Sequence, residues 1–200
     1  MSLRRQGTAG QGPEESGSAA MNDRELMRGV QSGDETALGV LMERWELPIK
    51  RFIARIVFNA SEAEELAQET FVRVWTQREK FRPEAEFRPW IFSIAVNLAR
   101  NRLRWWRSRP NVSLEDWFES CSEIDRSGGS LTLERAERAV AVRDAVAALS
   151  HELREALVLF HYEELSQAEI AVALGCSVKT VETRVARARE KLRISLRALE

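Results

Sequence analysis

The sequence predicts an all-α chain: two small helical domains joined by a flexible acidic linker, the second ending in a helix-turn-helix. Three observations carry that prediction. Arg, Ala, Glu and Leu dominate, while Pro and Gly number only 5 and 10 in 200 residues, a balance that favours helix. Apolar residues recur at steps of three and four, and no period-two run with Asn-Gly or Asp-Gly turns competes with them. The pattern breaks between residues 109 and 131. There Glu115, Asp116, Glu119, Glu123 and Asp125 stand without a basic residue between Asn111 and Asp125, and Ser127-Gly128-Gly129-Ser130 follows as a flexible stretch.

Residues 1–21 are rich in Gly, Ser, Ala and Gln and read as a disordered tail, because they bury too little to offset ordering entropy. Met21 is a candidate start. The first domain spans 22–108. Leu26, Met27 and Val30 mark a short helix closing near Ser32-Gly33, and Asp34 caps the next one, with Leu38, Leu41, Met42 and Trp45. Pro48 is expected to open a separate helix carrying Ile49, Phe52, Ile53, Ile56 and Val57. Ser61-Glu62-Ala63-Glu64 reads as a capping box that starts a helix with Ala63, Leu66, Ala67, Thr70, Phe71, Val74 and Trp75 inward. After Pro83 a further helix runs from about Pro89 to Arg107. The linker is 109–131 and the second domain 132–200. There an Ala/Val-rich helix covers Leu133 to Leu149, Ser150 caps a helix through Phe160, Ser166-Glu169 forms another capping box, and Ser177 caps a last long helix.

The formal charge is 30 basic against 31 acidic residues, a net of -1, so the chain as a whole makes no electrostatic case for a nucleic-acid partner. Locally the balance is uneven. Five arginines and no acid occupy 97–109, and seven basic residues face two acidic ones over 177–197. No stretch is apolar enough to span a membrane, and the segment after Met1–Arg5 is not that of a signal peptide. Cys121 and Cys176, 55 positions apart, exclude a disulfide scaffold and a CxxC metal pair and fit a reducing, cytoplasmic setting. His151 and His161 have no partner at metal-ligand spacing, so neither metal nor cofactor is expected.

The sharpest motif runs from Leu165 to Val185. A short capped helix turns Ile170, Ala171 and Leu174 inward, and Gly175 makes the tight turn. The next helix has Val178, Val181, Val185, Ala188 and Leu192 as its buried stripe. Lys179, Glu182, Thr183, Ala186 and Arg187 then face outward, flanked by Thr180 and Arg184. Such a face suits the major groove, where Arg pairs with guanine, Glu accepts from cytosine, and further basic residues neutralise phosphates. The bland alternative is a helical hairpin with a solvated basic face.

In the first domain, Trp90, Ile91, Ile94, Ala95 and Leu98 form a buried stripe, and Ser93, Asn97, Arg100, Asn101 and Arg104 share another face. Arginines with Trp105 and Trp106 among them have the composition of a single-strand binder, although either tryptophan equally suits a core. The helix from Glu62 to Glu79 is acidic at its start, which suits the helix dipole. Its outward side holds Glu65, Gln68, Glu69, Val72, Arg73 and Thr76; an apolar Val72 on that side points to protein docking.

Four stretches, in order, resemble the extracytoplasmic-function (ECF) sigma factors of bacterial RNA polymerase. They are Gln31-Ser-Gly-Asp-Glu-Thr-Ala-Leu, the segment Ala63 to Trp75, the segment Phe87-Arg-Pro-Trp-Ile-Phe-Ser-Ile-Ala-Val-Asn-Leu-Ala-Arg-Asn, and the helix-turn-helix. The resemblance implies a subunit that binds core RNA polymerase and promoter DNA without catalysing a reaction. It implies polymerase docking by Glu65, Gln68, Glu69, Val72 and Arg73, and −10 reading by Asn97, Arg100, Asn101 and Arg104. It implies −35 reading by Ser177, Lys179, Thr180, Glu182, Thr183, Arg184 and Arg187. The Phe81–Phe87 loop would capture a flipped base, the linker would thread a basic channel of the polymerase, and an anti-sigma factor is an implied partner. Trp45-Glu46-Leu47-Pro48 and Ser150 depart from the family's usual residues. The rival readings are a stand-alone helix-turn-helix regulator, which leaves 61–109 unexplained, and a nucleic-acid enzyme, for which no acids converge.

Overall fold

The computed structural model describes residues 21–108 and 133–197, the side chains of 133–137 excepted. The tail before Met21 and the acidic linker with Cys121 lie outside the described residues. Eight α-helices and a single 3-10 turn make up the described elements: α1 (Asp23–Gln31), α2 (Glu35–Val57), α3 (Ala60–Thr76), the 3-10 turn Arg78–Lys80, α4 (Phe87–Arg107), α5 (Leu133–Ala147), α6 (His151–His161), α7 (Gln167–Leu174) and α8 (Val178–Leu196). No strand occurs among the described residues, in agreement with the predicted class.

Capping chemistry sets most boundaries where the sequence puts them. Asn22 and Glu25 close a capping box on α1, and Asp34 accepts the N–H groups of Thr36 and Ala37 at the start of α2. Ser166 and Glu169 close the box on α7, and Ser177 accepts from the Thr180 N–H on α8. Ser150 stands at the cap of α6, but its side chain makes no capping bond.

Two boundaries differ from expectation. Pro48 does not open a new helix; it lies inside α2, which runs unbroken for 23 residues. An internal proline removes one backbone bond and crowds the preceding turn. Here Leu41 on one side and Ile49 and Phe52 on the other are all buried in the same core, which holds the helix through the defect. The cap of α3 is Asn59, which accepts the Glu62 N–H at 2.9 Å, and not Ser61. Phe58 ends α2 in the left-handed region at φ 53, so the reversal leaves Asn59 as the first residue able to cap. Glu64, the expected partner of Ser61, instead pairs with Lys50 across the α2–α3 interface.

The aromatic centre of α1–α4 is built edge to face. Trp45 meets Phe87 and Phe92, Phe52 meets Phe92, and Phe81 meets Trp90, with ring centroids 5.1–6.2 Å apart. Asp23 anchors α1 to α2 by accepting from Trp45 Nε1 and Arg44 Nη1, both at 2.9 Å. Gln31 reaches from the end of α1 to the carbonyls of Arg78 and Phe81, which fixes the chain leading into α4. The second helical group packs on the first. α7 lies against α4, α6 against α2, and the buried residues of α1–α4 form one continuous cluster with Ala156, Leu159, Ile170, Leu174 and Val181.

Arg154 joins the two groups. Although charged, it is only 6% exposed. Its guanidinium donates to the carbonyls of Val146, Ala147 and Leu149 at the end of α5 and to Ile56 at the end of α2. It also lies 4.6 Å over the Phe58 ring. One cation therefore caps two helix C-termini, where carbonyls have no helical partner and the dipole favours positive charge. Burial pulls its pKa down to about 10, so it stays charged at neutral pH.

Candidate nucleic-acid interface

The turn between α7 and α8 is made by Gly175 in the left-handed region, φ 65. A Cβ at this position would meet nothing within 4 Å, so glycine is needed for its backbone conformation and not for space. Beyond the turn, Val181, Val185 and Ala188 are buried at 3% exposure or less. Val178, predicted in that stripe, is instead 41% exposed. It sits in the first turn of α8, and the buried stripe starts at Val181.

The polar face of α8 is as predicted. Ser177, Lys179, Glu182, Thr183 and Arg187 are exposed, with Thr180 and Arg184 half-buried at its edges. Ser177 Oγ and Thr180 Oγ1 are 2.8 Å apart, and Thr183 donates to the Lys179 carbonyl. Lys179 and Glu182 form a solvated pair at 3.3 Å, which competing base edges or phosphates can replace at little cost. Cys176 is half-buried against the core with its sulfur 4.0 Å from Arg184.

On α4, Asn97, Asn101 and Arg104 are exposed along one face, and Arg104 donates to Asn101 Oδ1 at 2.7 Å, holding the amide in one orientation. Arg100 behaves differently. Its Nε and Nη2 make a two-pronged contact with both carboxylate oxygens of Glu155 on α6, at 2.8 and 2.6 Å, and this contact raises its pKa. Glu155 itself is 1% exposed. Arg102 faces α3, where it bonds Glu62 and Glu65. Burial pushes the Glu62 carboxyl up, while the hydrogen bond from Arg102 holds Glu65 down. Trp105 is 44% exposed and Trp106 half-buried, in edge-to-face contact at 5.2 Å. Phe81 and Phe87 are both buried, so the exposed part of their loop is Arg82, Pro83, Glu84 and Glu86. A base held there would not stack on either ring.

The outward side of α3 presents Gln68, Arg73 and Val72, the last 53% exposed. Glu69 accepts from Arg73 at 2.8 Å, and Glu65 is engaged by Arg102. Sequence reasoning did not single out Arg102, Arg154 or Glu155. The available signal was a charged pair, Arg154-Glu155, set inside the apolar run Leu153 to Leu159. Among the described residues no group of three or more His, Cys, Asp or Glu is placed to hold a metal, and no helix is long and apolar enough to cross a membrane.

The chain is similar to known proteins over most of its length. Family models for Sigma-70 region 2 and Sigma-70 region 4 match residues 41–109 and 139–192. The RNA polymerase sigma-H factor of Pseudomonas aeruginosa is 34% identical over 183 residues, covering 88% of this chain and 95% of that protein. The ECF RNA polymerase sigma-E factor of Escherichia coli K12 is 32% identical over 184 residues, covering 88% and 94%. CnrH in complex with the cytosolic domain of CnrY superposes with a TM-score of 0.66 at 30% identity, over 88% of this chain and 97% of that one. The sigma factor RpoE bound to the anti-sigma factor NepR, from Bartonella quintana, gives 0.62 at 26%, over 78% and 93%. With both region matches in order and relatives aligned over nearly their full length, the chain belongs to the ECF sigma factors, alternative sigma factors that direct RNA polymerase to promoters.

Proposed function

We propose that residues 22–108 dock on core RNA polymerase and read the −10 element, and that residues 132–200 read the −35 element. The observation that carries this reading is the α7–Gly175–α8 unit. Its recognition helix buries Val181, Val185 and Ala188 and leaves Lys179, Glu182, Thr183 and Arg187 to solvent at its N-terminal half. That half of a helix is the part that meets base edges in the major groove. On α4, Asn97, Asn101 and Arg104 supply the second reading face, with Arg100 joining when its contact with Glu155 is exchanged. The outward side of α3 around Gln68 and Val72 supports docking on the polymerase, since Val72 is an apolar side chain 53% exposed on an otherwise polar face.

The chain acts by binding, in the cytoplasm, and makes or breaks no bond itself. Promoter melting follows from trapping unstacked bases, a cost of a few kcal/mol that contacts on the protein must offset. An anti-sigma factor is a further partner, supported by the neighbouring structures of CnrH with CnrY and RpoE with NepR. A stand-alone regulator is not favoured, because it gives no role to the outward side of α3. The test is run-off transcription from a randomised promoter library with core polymerase and the purified chain. Selected promoters are expected to shift in the −35 element on Glu182→Ala and in the −10 element on Asn101→Ala. Identical selections from parent and variants would refute the assignment.

A further inference from the structure

Between the C-terminal end of α2 and α5 lies a crevice of about 340 Å³, within the usual range of small-molecule sites, about 300–1,000 Å³. Its floor is apolar. Ala54 and Phe58 at the end of α2 and Val146 of α5 are 6% exposed or less, and Ala139 and Val142 of α5 continue the surface toward solvent. None of the lining residues belongs to the DNA-reading faces or to the docking side of α3.

The rim is one-signed. Arg51 and Arg55 stand on the α2 side, Arg138 and Arg143 on the α5 side, and no carboxylate lines the crevice. Under the floor the Arg154 guanidinium lies 4.6 Å from the centroid of the Phe58 ring and adds a further positive charge. Glu163, outside the lining, is paired with Arg55 at 3.5 Å, and Arg55 also lies 4.3 Å over the Tyr162 ring. Arg51 and Arg143 form no salt bridge among the described residues. Like charges gathered beside a low-dielectric surface repel, and an apolar floor left to water forgoes the gain of burial. An anion with an apolar body relieves both at once.

The lining also narrows what that anion is. It holds no Ser, Thr, Asn, Gln or His, and the Tyr162 hydroxyl is its one neutral polar side-chain group. A nucleotide or a sugar phosphate would bring base edges or hydroxyls that lose water and gain no side-chain partner there. Inorganic phosphate would meet the rim and leave the floor wet. We propose that the crevice binds a free fatty acid, with its chain along Ala54, Phe58, Val142 and Val146 and its carboxylate between Arg51 and Arg143. A guanidinium fork matches the two oxygens of a carboxylate, which a neutral head group cannot reproduce. The ligand touches both helical groups, and its site is separate from every surface that the promoter reading uses.

The test is titration calorimetry on the full chain without polymerase, using dodecanoate below its micelle concentration. The proteins are the parent, Arg143→Glu and Ala139→Trp. Ala139 is exposed, so a tryptophan there plugs the crevice from its open side and checks the site even if Arg143→Glu does not fold. The parent is expected to bind dodecanoate saturably, with the negative heat-capacity change that marks apolar burial. Each variant should bind at least about tenfold more weakly, the scale of one lost charge-assisted hydrogen bond. Dodecanol, dodecyltrimethylammonium and inorganic phosphate should each fall at least about tenfold below dodecanoate on the parent. No saturable binding by the parent overturns the proposal, as does equal affinity in the parent and the folded variants. Dodecanol or the ammonium binding as tightly as dodecanoate overturns it by removing the arginines from recognition, and phosphate binding as tightly does so by removing the floor. A peptide of residues 111–125, which sets Trp117 and Phe118 among five acids, is the other occupant the charge pattern allows. Displacement of dodecanoate by that peptide at a lower concentration than dodecanoate itself needs would overturn the fatty-acid assignment in favour of the chain's own acidic segment.

Discussion

Replacing Arg154 with methionine tests the most concentrated interaction in the structure. Methionine keeps an unbranched apolar stem against Phe58 but offers no donor, so the carbonyls of Ile56, Val146, Ala147 and Leu149 lose the guanidinium together. Leaving a buried acceptor without a partner costs about 1–3 kcal/mol. Taking the low end for each of the four, because they lie close together and share the relaxation, gives about 4 kcal/mol. At about 2–4 °C per kcal/mol for a chain of this size, the melting temperature should fall by about 8–16 °C. Arg154→Lys should fall between parent and methionine variant, since a compact ammonium cannot span carbonyls on two helix ends. Thermal unfolding followed by circular dichroism at 222 nm reads both variants. A methionine variant that melts within about 2 °C of the parent would refute the claim that one cation caps both helices.

Three further outcomes are expected. Val72→Asp should leave the melting temperature unchanged, since the side chain is 53% exposed, and should weaken core-polymerase binding by about 30-fold, the effect of losing a hot spot worth about 2 kcal/mol; an unchanged Kd on an immobilised polymerase would remove α3 from the docking surface. Gly175→Ala should cost about 1–2 kcal/mol through its φ of 65 alone, and Gly175→Asn less, because asparagine tolerates that region; equal losses in denaturant titrations would point to a steric cause instead. The pKa of His151 is held at about 4, below its ordinary 6.5, by burial and then by Arg154 and Arg107, with Glu152 opposing. The unfolded chain binds the proton more readily, so this contribution to stability is complete above about pH 6.5 and is lost as pH falls toward about 4. His151→Gln should flatten that part of the stability profile, and urea midpoints with the same slope in both proteins would count against it.

The class, the helix-turn-helix and most caps were legible because each is set by neighbours in sequence. Ser166 and Glu169 satisfy one another three residues apart, and Gly175 needs only its own backbone. The misreadings mark where distant residues decide. Asn59 and Ser61 are both good caps, and the choice fell to Asn59 because α2 ends in the left-handed reversal at Phe58, which a neighbouring helix and its core determine. Pro48 carries the local signal of a helix start, yet Leu41, Ile49 and Phe52 bury into a core assembled from other helices. Val178 keeps the spacing of its stripe but stays exposed in the first turn of α8. At the candidate interface, the outward face of α8 could be read from periodicity alone. The pairing of Arg100 with Glu155, 55 positions away, could not.

That pairing changes what the arginine run of α4 means. Read along the chain, residues 97–109 hold five arginines and no acid, which looks like a single phosphate-binding stripe. In space the described members divide by helical angle. Arg102 turns to α3 and is matched by Glu62 and Glu65, so it fastens α4 to α3. Arg100 turns to α6 and is matched by Glu155. Arg104 and Arg107 stay exposed, where Arg104 orients Asn101 and Arg107 meets His151 on α6. The acids of α3 that seemed to belong wholly to a docking face thus also neutralise the helix beside it. A contact that perturbs Glu65 would reach Arg102, one residue from Asn101. The near-zero net charge is therefore more than a cancellation between separate segments. It records carboxylates placed against particular arginines, which leaves a smaller and more selective set of cations for DNA than the sequence count suggests.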